Sequence, residues 1–219
     1  MPRLLFQKTG TAIWVSHLDL MRLFQRAFKR AGFPLKHTQG FNPRPSVSIA
    51  LPLSVGVESR CELLDFDLDC EFDQWDDLVG RLNTALVDGV TVLKVYHDGR
   101  KIRDLSFMRS RITLEYDNGV PPGAVDAISK LLSQESVTVI KKTKSGPQEQ
   151  DIIPMIRSFT VQPEGEKQII IDVLHCCQNP TLNPMHISAA ITKYLPEYRP
   201  DFSKCCRMEI FDSNDVVFR

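Results

Sequence analysis

Residues 46–69 read SVSIALPLSVGVESRCELLDFDLD. Val47, Ile49, Leu51 and Leu53 alternate through the first part, and Leu64, Phe66 and Leu68 alternate through the last, with Asp65, Asp67 and Asp69 between them. A period of two gives a segment one apolar face and one wet face, which is the pattern of a half-buried strand. Two such strands therefore follow one another here.

Upstream, Ser16 precedes HLDLMRLFQRAFKRAG, and Asp19 stands three residues later, a variant of the capping box. Leu20, Leu23, Phe24, Ala27 and Ala31 recur at helical spacing and predict one buried stripe, with Gly32 as the left-handed stop. Arg22, Arg26, Lys29 and Arg30 fall on the opposite side. RLLFQKTG, from Arg3, predicts a strand with Leu4 and Phe6 on one side. Downstream, Asp73 can cap a helix running to about residue 87, and VTVLKVY returns as a strand. The order strand, helix, strand, strand, helix, strand is the split βαβ, or ferredoxin-like, plan: one antiparallel sheet with two helices on one face.

The second half gives nearly the same order. RSRITLEY predicts a strand, VPPGAVDAISKLLSQE a helix with proline in its first turn, and VTVIKKT a strand. IRSFTVQ and KQIIIDVL follow as strands, NPMHISAAITKYL as a helix capped by Asn183, and RMEIFD as the closing strand. The expectation is an α+β chain of two tandem ferredoxin-like modules with antiparallel sheets, residues 1–100 and 101–219. HDGRKIRDLSFMRS, 97–110, is the expected junction, and KTKSGPQEQD, 142–151, an exposed basic hairpin or loop.

A chain of 219 residues is long enough for two such cores. No apolar run approaches the roughly 20 residues a membrane helix needs. No secretory leader pattern opens the sequence, so the cytoplasm is the expected compartment. Six cysteines include the adjacent pairs Cys176–Cys177 and Cys205–Cys206, a poor spacing for disulfides or for zinc; free, partly buried thiols are expected. Formal charge is zero but segregated. Arg22, Arg26, Lys29, Arg30, Lys36 and Arg44 face one acid, Asp19, between residues 16 and 45, whereas residues 58–77 carry nine acids against Arg60. The segregation permits a basic face; mutual neutralisation within the fold is the alternative.

No P-loop, dinucleotide glycine signature, H-E-x-x-H helix, nucleophile elbow or C-x3-C-x2-C cluster run occurs in the sequence. What stands out is KHTQGFNPRP, 36–45. Gly40 lets the backbone turn, Phe41 offers a flat ring, Asn42 follows, and Pro43 and Pro45 stiffen the chain on both sides of Arg44. A stiffened backbone lowers the entropy lost when a guanidinium grips phosphate. A salt bridge from Arg44 to the acidic strand is the competing reading. His17 and His37 lie at opposite ends of the helix, about 25 Å apart at 1.5 Å per residue. They are therefore poorly placed to act as an acid and base pair. His175 and His186 carry no recognisable pattern.

From Val15 to Leu68 the chain closely resembles the bacterial radical-SAM-associated, or radical-SAM-linked, protein family. The resemblance is carried by SHLD, the helix arginines Arg22 and Arg26, GFNP followed by a basic residue and proline, PL, GVES and the acidic strand. Beyond about residue 110 it is looser, with KK followed by DIIPMI. It implies a separate partner enzyme that carries the cluster and S-adenosylmethionine, and no cofactor in this chain. It also marks Ser16, His17, Asp19, Arg22, Arg26, Gly40, Phe41, Asn42, Pro43 and Arg44 as functional positions. The leading expectation is a non-catalytic accessory protein that presents tRNA or rRNA to a radical SAM modifying enzyme, with Arg22, Arg26, Lys29, Arg30, Phe41, Asn42 and Arg44 on the nucleic acid. A protein-interaction module docking on the enzyme without RNA is the alternative, and a metal-independent ribonuclease using His17 or His37 the third.

Overall fold

The computed structural model describes residues 1–70, 75–143 and 146–219. The chain divides into two compact units, Met1–Asp104 with Val217–Arg219, and Leu105–Val216. Among the described residues it is α+β, with four α-helices and antiparallel strand pairing throughout.

The first unit runs β1 (Arg3–Lys8), α1 (His17–Arg30), β2 (Val47–Ile49), β3 (Glu58–Phe66), α2 (Trp75–Ala85) and β4 (Val90–Tyr96). Strand β1 lies between β4 and β3, and β2 pairs with the end of β3, Ile49 opposite Leu64. Leu4, Phe6, Leu64, Phe66 and Val92 from the strands form one core with Leu20, Phe24, Ala27 and Phe28 of α1 and Leu78 and Leu82 of α2. Full burial of each Leu or Phe contributes about 1.5–3 kcal/mol.

Two readings of this unit need correction, and a third falls outside the described residues. Leu23 is only half-buried, and the stripe is completed by Phe28, whose ring centroid lies 5.0 Å from that of Phe66. The strand expected through Leu53 stops at Ile49, because Leu51 turns to a φ of 50° and Pro52 follows. Asp73, the expected cap of α2, lies outside the described residues.

The second unit runs β5 (Leu105–Glu115), α3 (Ala124–Leu132), β6 (Thr138–Thr143), β7 (Gly146–Asp151), β8 (Ile156–Glu164), β9 (Gln168–Cys176), α4 (Met185–Tyr194) and β10 (Phe202–Asp212). Its main sheet is ordered β10-β5-β9-β8, and β6 and β7 form a separate hairpin. The segment expected as a junction thus already belongs to β5 from Leu105 onward. The prolines expected in the first turn of α3 precede it, and Gly123, at a φ of 81°, stands as its N-cap. Asn183 accepts the Met185 N–H at 3.1 Å, as expected of a cap followed by Pro184 in the helical conformation.

No helix among the described residues is long and apolar enough to cross a membrane.

Candidate nucleic-acid interface

Helix α1 begins as the capping pattern requires. The Asp19 N–H donates to Ser16 Oγ at 3.2 Å, and Ser16 Oγ donates to the Asp19 carboxylate at 2.7 Å. The hydroxyl, and then Arg22 at 3.1 Å, hold the Asp19 carboxyl below its ordinary range. His17 opens the helix half-exposed. From there Arg22, Arg26 and Lys29, at i, i+4 and i+7, form one exposed row.

The cations of that row have different fates. Arg22 is paired with Asp19, but both side chains are largely exposed, so the pair is weak and its guanidinium stays accessible. Arg30 donates to the carbonyl of Ala85, the last residue of α2, and so serves this chain's own backbone. Arg26, Lys29 and Arg44 have no carboxylate partner among the described residues. Of the acidic strand, Asp65 pairs with Arg3, and Asp67 neutralises one cation of the basic segment, Lys36, at 3.8 Å. The salt bridge considered for Arg44 does not form among the described residues.

After α1, Gly32 at a φ of 78° reverses the chain, and the Phe33 N–H closes on the Phe28 carbonyl at 2.9 Å. The chain then builds a narrow two-stranded arm. The Ser46 N–H donates to the Lys36 carbonyl at 2.7 Å, the Thr38 N–H to the Arg44 carbonyl at 2.8 Å, and the Arg44 N–H to Thr38 Oγ1 at 3.0 Å. Between these rungs His37 faces Pro45. Proline is tolerated there because the rungs use residues 44 and 46, so no N–H is needed at 45. Gln39 to Pro43 make the tip, with Gly40 at a φ of 134° and Asn42 exposed. Phe41 is as exposed as in an extended peptide, 106%. Nothing in the first unit's core requires a ring at that position.

A cavity of about 460 Å³ opens between the helix and the arm. Gln25 and Lys29 line it from α1, Phe33, Pro34 and Leu35 from the return, and His37 and Pro45 from the arm. None of these side chains is acidic. Sequence reading found Lys29 and His37 but missed Gln25 and the apolar wall. The proline after the reversal, set beside an aromatic and a leucine, was the available signal.

Elsewhere, His175 is fully buried in the second unit. Its Nδ1–H donates to the Cys176 carbonyl at 3.1 Å, and Nε2 accepts from Ser110 Oγ at 2.9 Å. Burial pushes its pKa down to about 4, so the ring is neutral and held on both nitrogens. None of the six cysteines forms a disulfide among the described residues. Burial pushes the Cys205 thiol up to about 12 and Cys177 up to about 11, which makes both unreactive packing groups. No group of three or more His, Cys, Asp or Glu suited to a metal ion occurs among the described residues.

Residues 2–184 match a family model described as "Uncharacterized protein conserved in bacteria (DUF2344)". The chain belongs to the DUF2344 family. The match takes in α1, the arm and the groove, so the candidate interface lies within the family's own span. Among curated proteins none matches. Among solved structures, this chain is similar to a chain in a crystal structure of a Cbf5-Nop10-Gar1 complex, with a TM-score of 0.52 at 9% identity. The similarity covers 95% of this chain and 48% of that one, so this chain spans about half its length. At that identity the likeness concerns fold alone. A crystal structure of an unknown protein from Galdieria sulphuraria aligns over 94% of this chain and 96% of its own at 11% identity, but its TM-score of 0.27 carries no structural argument.

Proposed function

We propose that this DUF2344 protein is a non-catalytic accessory protein of the cytoplasm that binds RNA, tRNA or rRNA, and presents it to a separate radical SAM modifying enzyme. One observation carries the RNA part. Among the described residues, Arg26, Lys29 and Arg44 are exposed and without carboxylate partners, and they accompany a groove with no acidic lining and a fully exposed aromatic tip. Cations that track phosphate, together with a ring that stacks on a base, are what single-stranded RNA needs. Arg22 and Asn42 extend that surface, and Arg30 supports it by tying α1 to α2. The partner enzyme comes from the sequence resemblance over residues 15–68.

The ferredoxin-like reading of both units belongs to this proposal. It is supported by strand order: numbered within each unit, and with the β6–β7 hairpin set apart as an insertion, both sheets run fourth, first, third, second.

The test is binding of a labelled single-stranded RNA followed by anisotropy across salt. With three phosphates neutralised, log Kobs should fall against log salt with a slope of about −2, and the Arg26, Lys29 and Arg44 triple alanine variant should flatten it. An affinity indifferent to both salt and the triple substitution ends the RNA reading.

A second reading, docking on the enzyme without RNA, is favoured by one feature. Trp14 and Leu18 are 67% and 68% exposed at the start of α1, and large apolar side chains of this kind anchor protein interfaces. Replacing both by serine should release the enzyme in pull-down and leave RNA retention unchanged if the two surfaces are separate. Enzyme pull-down that depends on these two side chains, by a chain that retains no RNA, favours docking as the role.

A further inference from the structure

We propose that the groove between α1 and the proline arm is a pocket for one unpaired nucleotide, the base held between its apolar walls and the adjoining phosphate held by Lys29. The inference rests on the RNA reading above and names the element that is recognised. Size is the first argument. A cavity of about 460 Å³ falls in the ~300–1,000 Å³ range of small-molecule pockets and suits a single nucleotide, whereas a duplex has no room to enter it.

Chemistry is the second argument. Phe33 and Leu35, 2% and 8% exposed, close the floor of the groove, and its accessible apolar surface is that of the exposed Pro34 and the half-buried Pro45. A flat base can lie against such surfaces, as it does in proteins that bind extruded nucleotides. Three polar groups enter the same space. The Gln25 amide offers a donor and an acceptor to a base edge, His37 offers a ring nitrogen, and Lys29 offers charge to phosphate. Their side chains have no hydrogen-bond partner within the chain among the described residues, so they are free for a ligand.

Preorganisation is the third. Phe33 is 2% exposed and backed by the Arg81 guanidinium, whose carbon sits 4.5 Å from the ring centroid and which is tied in turn to Asp77 at 3.3 Å. Gly32 makes that backing possible, since a Cβ there would stand 2.6 Å from Arg81 Nη2. The opposite side is braced by the two rungs of the arm. Little ordering is left to be done when a base arrives, which favours selective binding of an unpaired residue.

The experiment uses the full chain and a hairpin RNA with one bulged 2-aminopurine, compared with the same RNA carrying an abasic site at the bulge. The abasic RNA should bind about tenfold more weakly, and the bound 2-aminopurine should be shielded from acrylamide. Gln25→Trp, which fills the groove from a half-exposed helix position, should remove both effects, and His37→Asp, which places charge on the opposite wall, should do the same. Circular dichroism checks that each variant is folded. If the abasic and bulged RNAs bind equally, with the salt dependence intact, the pocket is wrong while the RNA reading stands. If no RNA binds at all, both fall. A peptide or acidic metabolite that occupies the groove in preference to nucleotide would overturn the assignment of occupant.

Discussion

Each unit carries an arginine on its first strand that grips an aspartate on an adjacent antiparallel strand with two parallel hydrogen bonds. In the first unit Arg3 faces Asp65 across the β1–β3 register, at 2.5 and 2.9 Å. In the second, Arg111 faces Asp172 across β5–β9, at 2.9 and 2.8 Å. The chemistry is the same, but the surroundings are not. The Arg3 and Asp65 side chains are 2% and 18% exposed, the Phe218 ring stands 5.4 Å from the guanidinium, and Gly99 approaches so closely that a Cβ would sit 2.6 Å from Arg3 Cζ. Arg111 and Asp172 are 44% and 25% exposed. Water screens the second pair and is largely excluded from the first. The difference teaches that a bidentate pair is structural or incidental according to what covers it, and sequence alone displays only the pair.

The largest expected effect follows from removing one partner of the covered pair. Asp65→Ala leaves a buried guanidinium without its counter-ion and should cost about 3–5 kcal/mol in urea unfolding. A loss below 1 kcal/mol would erase the contrast between the units.

Next in size is acid. His175 is held near 4 when folded and returns to about 6.5 when unfolded, so the unfolded chain takes up the proton first as pH falls. Stability from this group is fully present above pH 6.5 and is lost progressively down to about pH 4, amounting to about 3 kcal/mol at 1.4 kcal/mol per pKa unit. His186, lowered by burial and then by Lys141, acts in the same direction and also belongs to the second unit. Hydrogen exchange should therefore show β9 losing protection between pH 6.5 and 4 before β1 and β3 do. Hydrogen-exchange protection of β1 and β3, both in the first unit, should hold steady over that range. Simultaneous loss in both units would refute the assignment to His175.

The smallest effect belongs to the open pair. Asp172→Ala should change stability by about 0–1 kcal/mol, and 0.5 M salt should shrink even that. A cost matching that of Asp65→Ala would mean that coverage is not what separates the two pairs.

The same contrast explains what could be read from the sequence. Alternation and helical spacing are local, and they located the strands, α1, its cap and its glycine stop, together with the stiffened arm. The burial of Arg3 depends on Asp65, 62 residues away, and on Phe218 near the far end, and no local period reports either. Arg30 looked like its neighbours on the helix, yet the carbonyl that claims it lies 55 residues on. Phe28 replaced Leu23 in the stripe because Phe66 of β3 offers it a ring to pack against, again a long-range choice. The groove escaped notice because its walls come from a helix and from the chain returning past it. Each wall reads as an ordinary apolar or polar residue until the two are set side by side.

Phe218 also constrains how the molecule is born. Residues 1–104 leave the ribosome long before residues 217–219, although those last residues belong to the first unit. The ring over Arg3 and the bond from the Arg100 N–H to the Arg219 carbonyl, 3.1 Å long, can form only after the intervening unit has been synthesised. A nascent chain stalled in the second unit would hold an unroofed guanidinium, so the first unit, made first, is the last to be completed.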